Sequence, residues 1–334
     1  MVQSPRGPRR SRNLFLEAPK LRLIAHAVIL LTVLLLSTST PMAAERFFIS
    51  IPGPTLSYTH LYYGQEKGFF AQEGLDLQVL VVRGIIGISS LMSGEIDVTC
   101  HAGSGFAAAL RGLPVKVISV THDRPAHELI VAPSILTGTD LKGKPIAVGS
   151  LEGTAAVITR RVLQAKGLDP QKDVTLLSMD TTVRLQALFS GKVAGAMMTP
   201  PSTYLAQDRG YRVLARGKDH MRYLQTGVVT TDANIKQKRA KIVRFLRGWN
   251  RALKFYQDNP EIMLPYIQKK LGIKDAQLAR RMYEDDVQTV SLAGRLSAEA
   301  EREIMETGLE ALRIKESIPA DKVFDFSLAA DALK

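Results

Sequence analysis

One cysteine, Cys100, occurs among 334 residues. That excludes an internal disulfide, and it excludes a lipid-attachment cysteine near the N-terminus. Stability must therefore come from packed cores. Metal-ligand clusters are missing as well. His122 and His127 are five apart with only Asp123 nearby, and no further histidines complete a site, so no metal ligand is expected. The apolar run Leu23–Leu36 has 14 residues, interrupted by His26 and Thr32. A membrane-spanning helix needs roughly 18–20. Compositional bias is absent too. Hydrophobic residues make up 46% and charged residues 23%, which argues against a disordered chain and against a polytopic membrane protein.

What is present begins with a leader. Arg6, Arg9, Arg10, Arg12, Lys20 and Arg22 precede the apolar run with a single acid, Glu17, and Pro41–Ala44 follow it. This is the pattern of a secretory signal peptide over residues 1–44, and it predicts export to the periplasm as a soluble chain. A cut after Ala44 puts Met42 where a small residue is preferred, so a retained anchor is the alternative. The whole chain carries +12, and beyond the leader about +7 remains, from 38 basic and 31 acidic residues. A modest positive field would steer anions. A solubilising surface excess is the plainer reading.

Arg46–Ile51 reads as a strand broken by Pro52-Gly53-Pro54. Tyr58–Lys67 reads as a helix stopped by Gly68, and Leu75–Val81 alternates as a half-buried strand. Strand, helix, strand is the unit of a parallel sheet. Helices are expected over Ile85–Ser93 and Gly105–Arg111, and strands over Asp97–His101, Val115–Val120 and Glu128–Ala132. Pro133 then marks a crossing. A second series follows: strand Pro145–Val148, helix Ala155–Lys166, strand Val174–Ser178, helix Val183–Ser190, strand Val193–Met198, helix Ser202–Arg209. Short strands at Tyr211–Ala215 and Thr226–Thr230 close it. Leu91–Ile96 and Leu188–Val193 share the pattern L-x-S-G-x-[IV], an internal echo consistent with two similar lobes. From Asp232 onward the chain is helical, with Val243, Leu246, Trp249, Leu253 and Tyr256 on one face and basic residues around the other. A solvated helix surface explains those basic residues better than nucleic-acid binding does.

In open α/β sheets, ligands bind beyond the carboxyl ends of the strands. The residues there in the first series are Thr55, Ser57 and Tyr58, then Arg83 and Gly84, then His101, Gly103 and Ser104. In the second they are Ser150, Gly153 and Thr154, then Asp180–Thr182, then Thr199. Gly103-Ser104 and Gly153-Thr154 stand at helix starts, where backbone N–H groups and the helix dipole favour an anion. Simple helix capping is the alternative for both. Arg83 could pair with an anion and His101 could donate to one, while Tyr58 could stack on a ligand or hydrogen-bond to it. Cys100 is expected to be a small buried residue, not a nucleophile. Gly138–Lys144 imitates a phosphate-binding loop, but Pro145 stands where a Ser or Thr belongs and the segment precedes its strand.

The stretch YYGQEKGFFAQEGLDLQVL (Tyr62–Leu80) resembles the opening of type II periplasmic solute-binding proteins. The resemblance is to the branch that binds nitrate, sulfonates, taurine and thiamine-precursor pyrimidines for ABC importers. It continues in LMSGEIDV (Leu91–Val98), ALRGLPVKVI (Ala109–Ile118), DLKGKPIAV (Asp140–Val148), GLDPQKDVTLL (Gly167–Leu177) and LFSGKVAGAMM (Leu188–Met198). It implies an α/β, two-lobed binding-protein fold in which each lobe is a mixed, mostly parallel sheet flanked by helices, with a helical C-terminal tail. Lobe one is expected over 45–132 and 229–334, lobe two over 133–228, with hinges near Val131–Pro133 and Val228–Thr230. The resemblance also implies a monomer that closes on a small, anionic or heterocyclic solute and docks on a permease with its ATPase, without cofactor, nucleic acid or catalysis. Two alternatives stay open. One is an enzyme resembling the yeast-type thiamine-pyrimidine synthase, whose cysteine-rich iron motif is missing here. The other is a binding protein that senses its ligand without transport.

Overall fold

In the computed structural model, residues 44–334 are described, together with Met1; the expected leader otherwise lies outside the described residues. The strands are β1 Glu45–Ile51, β2 Leu75–Val81, β3 Val98–Thr99, β4 Val115–His122, β5 Glu128–Val131, β6 Lys144–Val148, β7 Val174–Ser178, β8 Gly195–Met198, β9 Arg212–Arg216 and β10 Thr226–Thr231. The helices that bound the site are α1 Thr59–Glu66, α2 Gly84–Met92, α3 Ala102–Leu110, α4 Thr154–Ala165, α5 Thr181–Phe189 and α6 Ser202–Gln207. A helical tail follows: α7 Asp232–Gln237, α8 Arg239–Asp258, α9 Pro260–Leu271, α10 Ala276–Val287, α11 Ala298–Leu312 and α12 Ser327–Ala332.

Two five-stranded sheets result, in the orders β2-β1-β3-β10-β4 and β7-β6-β8-β5-β9. In the first, β1 runs parallel to β2 and β3, and β10 runs antiparallel to β3 and β4. In the second, β6 runs parallel to β7 and β8, and β5 runs antiparallel to β8 and β9. The expected two-lobed fold of mixed, mostly parallel sheets is the fold observed. The echo L-x-S-G-x-[IV] falls at comparable places, where α2 ends before β3 in lobe one and α5 ends before β8 in lobe two. Gly94 (φ 80°) and Gly191 (φ 71°) both take the left-handed conformation that turns the chain there. Ile96 and Val193 then enter the two cores.

The sheets correct the expected lobe boundaries. All of β5 belongs to the second sheet and all of β10 to the first. The chain therefore crosses between lobes through residues 123–127 and 217–225, not at Pro133 and Val228. Val131 and Val228 lie inside strands paired on both edges, so bending at the expected hinge positions would break two ladders. The two crossings run side by side instead, tied by Tyr223 N to Asp123 O (3.1 Å), Gln225 N to His122 O (2.9 Å) and Gly217 N to His127 O (2.7 Å). Pro133 ends β5 but does not mark the crossing.

The helical tail braces lobe one. The apolar face of α8 is buried, and Phe245 stacks on Phe47 of β1 at 4.5 Å between ring centroids. Its basic face is engaged in ion pairs, Lys241 and Arg244 with Glu45 and Arg251 with Glu73. Asp97 fastens the tail to the sheet. Its carboxylate accepts from Phe48 N (2.9 Å), Lys238 Nζ (2.9 Å) and Lys241 Nζ (3.1 Å). Burial works against the ionised form of Asp97, but these donors outweigh it and hold its pKa below the usual carboxylate range. Two elements near the site differ from expectation. The third strand is two residues long, and α3 starts at Ala102, not Gly105. The helix thus begins directly at the strand end, which brings its first amides to the sheet edge.

Candidate functional site

The carboxyl ends of the strands in the two lobes face each other across a cleft enclosing about 760 Å³, counted out to its open mouth. Four helices of nine residues or more start at its walls: α2 and α3 from lobe one, α4 and α5 from lobe two. None of the four has a side-chain hydrogen bond at its N-cap, where Arg83, His101, Gly153 and Asp180 stand. Each such end carries orphan N–H groups and roughly half a positive charge. Four such ends line the one cleft, and helix N-termini of this kind suit an anion chemically.

Arg184 lies behind α5's first turn and is 7% exposed. Its Nη1 donates to the Met197 carbonyl and its Nη2 to Thr181 Oγ1 (3.1 Å), while Nε has no partner. Among the described residues no carboxylate forms an ion pair with it. Burial lowers its pKa to about 10, and the charge of Asp180 only partly opposes that. A guanidinium this buried is costly unless an anion meets it. Arg83 is different. Its Nε is 3.6 Å from Asp180 Oδ1 across the cleft mouth, with both side chains more than half exposed, so this pair is a weak latch.

Of the residues expected at the site, Thr55, Tyr58, Arg83, Gly84, His101, Gly103 and Ser104 line the cleft from lobe one. Ser150, Gly153, Thr154 and Thr199 line it from lobe two. Ser57 does not; it faces a second cavity nearer α10. The lobes touch at the centre, where the Cα of Gly103 packs directly against Thr154, and Thr154 Oγ1 donates to the Leu224 carbonyl (2.6 Å) of the second crossing.

His101 is placed at the wall but offers the cleft no N–H. Its Nε2 lies 2.8 Å from the Val82 carbonyl, which can only accept, so Nε2 carries the proton. Nδ1 then accepts from Thr99 Oγ1 at 2.7 Å. Gly87 leaves room for this ring, since a Cβ there would meet Nδ1 at 2.7 Å. Tyr58 is also spent internally, donating to the Cys100 carbonyl at 3.1 Å, and burial raises its pKa well above the ordinary value. Cys100 is 1% exposed and burial pushes its thiol upward, away from the thiolate a nucleophile requires. Among the described residues no group of three or more His, Cys, Asp or Glu side chains could hold a metal.

Sequence reasoning missed Arg184, His127 and Gln225. The last two come from the crossings and line the same cleft as Arg184, with His127 Nδ1 and Gln225 Oε1 left without partners. Arg184 did leave a signal, because it stands three residues after Thr181 and shares its helix face.

Two buried histidines, His60 and His101, and the half-buried His127 set a pH dependence. Burial lowers His60 to about 3, His101 to about 4 and His127 to about 3; the charges of His122 and Arg184 add to the effect at His60 and His127 respectively. Unfolded, each would titrate near 6.5. Between pH 6.5 and about 4 the unfolded state binds more protons, so the stabilisation present above pH 6.5 is lost as pH falls. The loss is on the order of 1 kcal/mol per pH unit for each histidine. The melting temperature should drop steadily from pH 7 to pH 5, and a flat profile would show that these rings are not held neutral.

The fold and the cleft define a two-lobed periplasmic-binding-protein architecture. The sequence matches the NMT1/THI5-like family over residues 56–262, and the chain belongs to that family. A solved structure of the alkanesulfonate-binding protein SsuA from Xanthomonas axonopodis pv. citri bound to MOPS is similar, with TM-score 0.69 and 18% identity, covering 87% of this chain and 97% of that one. The aliphatic sulphonate binding protein SsuA from Escherichia coli gives 0.65 and 18%, covering 86% and 99%. The desulfurization enzyme DSZB shares the fold at TM-score 0.59 and 15% identity, covering 86% and 99%. A curated relative from Bacillus subtilis (strain 168), named "Putative binding protein YtlA", is 22% identical over 225 residues. The match covers 61% of this chain and 64% of that relative's length.

Proposed function

We propose that this chain is the periplasmic solute-binding component of an ABC importer and that its cleft captures a small organic anion of the sulfonate class. The observation that carries this reading is Arg184, a buried guanidinium without a carboxylate partner, set behind uncapped helix N-termini. A sulfonate brings three acceptor oxygens to that array and one charge to match the arginine. The sulfonate ligands in the names of the SsuA structures agree with this chemistry. Binding at the interface of both lobes would hold them closed about the crossings at residues 123–127 and 217–225. The closed monomer would then dock on a permease whose ATPase supplies the work. Export by the leader would place it in the periplasm; among the described residues no helix is long and apolar enough to cross a membrane.

DSZB is named as an enzyme, but the single cysteine of this chain is buried and its thiol is pushed toward the neutral form. That favours binding over turnover. Calorimetry with methanesulfonate and its neutral analogue methanesulfonamide tests the reading. One-to-one binding of the anion, with the amide at least tenfold weaker, is expected. Equal binding of the two, or none by any sulfonate, would sink it.

A further inference from the structure

A second cavity, also about 760 Å³ out to its mouth, shares His127 and Thr199 with the first. Lobe one supplies Leu56 and, from α10, Met282; lobe two supplies Pro200 and Tyr204; the first crossing supplies Pro125 and Ala126. Its deep surfaces are apolar, with Leu56, Pro125 and Met282 buried and Tyr204 half-buried. Its unpaired charges, Arg124, Lys218 and Asp285, are exposed and stand at the rim.

The carboxylates set deeper are engaged within the protein. Glu128 pairs with Arg216 at 3.0 Å. Asp286 accepts from Tyr256 OH at 2.9 Å and lies 3.6 Å from His122 Nε2. The two cavities therefore differ in kind. The first holds a buried cation without an ion-pair contact; the second has engaged carboxylates and apolar walls, the lining of a pocket for the uncharged part of an organic ligand. An inorganic or one-carbon anion at Arg184 would leave the second cavity to water.

We infer that the two cavities form one bipartite site, in which the anionic head sits in the first and an uncharged alkyl or aryl body of several carbons reaches past His127 and Thr199 into the second. The inference rests on the reading of the first cavity as an anion site. It makes organic sulfonates with an extended apolar body the preferred solutes, ahead of nitrate, sulfate or methanesulfonate.

The test is calorimetry with the linear alkanesulfonates from methanesulfonate to octanesulfonate. Affinity should rise about three- to fourfold per buried methylene once the chain passes Thr199, for a total of roughly thirtyfold or more. Ala126→Phe, which puts a ring into the second cavity, should weaken octanesulfonate at least tenfold and leave methanesulfonate within twofold. Tyr204→Ala should act in the same direction, by about fivefold. Affinity that is flat along the series overturns the bipartite site, and so do variants that weaken both ligands equally. Failure of methanesulfonate along with every longer member overturns the anion-site reading itself, and the inference falls with it.

Discussion

Arg184→Met should weaken sulfonate binding on the order of 100-fold or more. Removing one partner of a desolvated, hydrogen-bonded charge pair costs about 2–5 kcal/mol, and each 1.4 kcal/mol is a factor of ten. Methionine keeps much of the side chain's length and fills irregular space, so the packing around Thr181 and Met197 changes little. The unliganded protein should stay folded. It loses two hydrogen bonds, to Met197 O and Thr181 Oγ1, but it also loses a buried charge whose Nε had no partner. Arg184→Lys separates charge from geometry, because an ammonium keeps the charge and loses the planar fork. It should recover part of the affinity, about tenfold over methionine. Binding by Arg184→Met within threefold of the parent would show that the anion is held elsewhere, by Arg83 or the helix ends alone.

Gly103→Val should abolish closure. A Cβ at Gly103 would stand 2.5 Å from the Thr154 backbone N and closer still to its hydroxyl, and the three nearest atoms all belong to Thr154. The nearest clash is therefore between lobes. Glycine is a poorer helix former than valine, so the change does not lower the helix propensity of α3. The lobes must stay apart by more than a methyl group, which pulls the N-termini of α3 and α4 away from a common ligand. Sulfonate affinity should fall at least tenfold, and X-ray scattering with saturating ligand should give a larger radius of gyration than the parent. The melting temperature without ligand should match the parent's within a few degrees. A variant that closes and binds like the parent would mean that the Gly103–Thr154 contact is not part of the bound state.

These two substitutions act on different terms, one on charge and one on shape. Arg184→Met should leave closure sterically possible, while Gly103→Val leaves Arg184 untouched. Arg184 was not legible as a site residue, whereas Gly103 was, and the difference is physical. Gly103 follows a strand at a helix start, which sequence marks with a turn residue and a change of period. Arg184 is one basic residue within a helix whose burial depends on Met197 in another strand.

The same division runs through the molecule. The order of strands and helices was written locally, in alternation, helical spacing and left-handed glycines such as Gly68, Gly94 and Gly191. So was the gathering of Gly84, Gly103, Gly153 and Thr199 at strand ends, because strand direction in a parallel unit fixes which ends share an edge. Only the tertiary structure decided which sheet takes β5 and β10, since a strand's period says nothing about its partner. It also decided that Ser57 turns to the second cavity and that the nitrogens of His101 are spent on Thr99 and Val82. Contacts such as Thr154 with Leu224, 70 residues apart, fix how lobe two meets the second crossing. Local pattern carries conformation; burial and pairing are set by neighbours that are distant in the chain, and it is burial that turns Arg184 from a surface charge into the candidate anchor of the site.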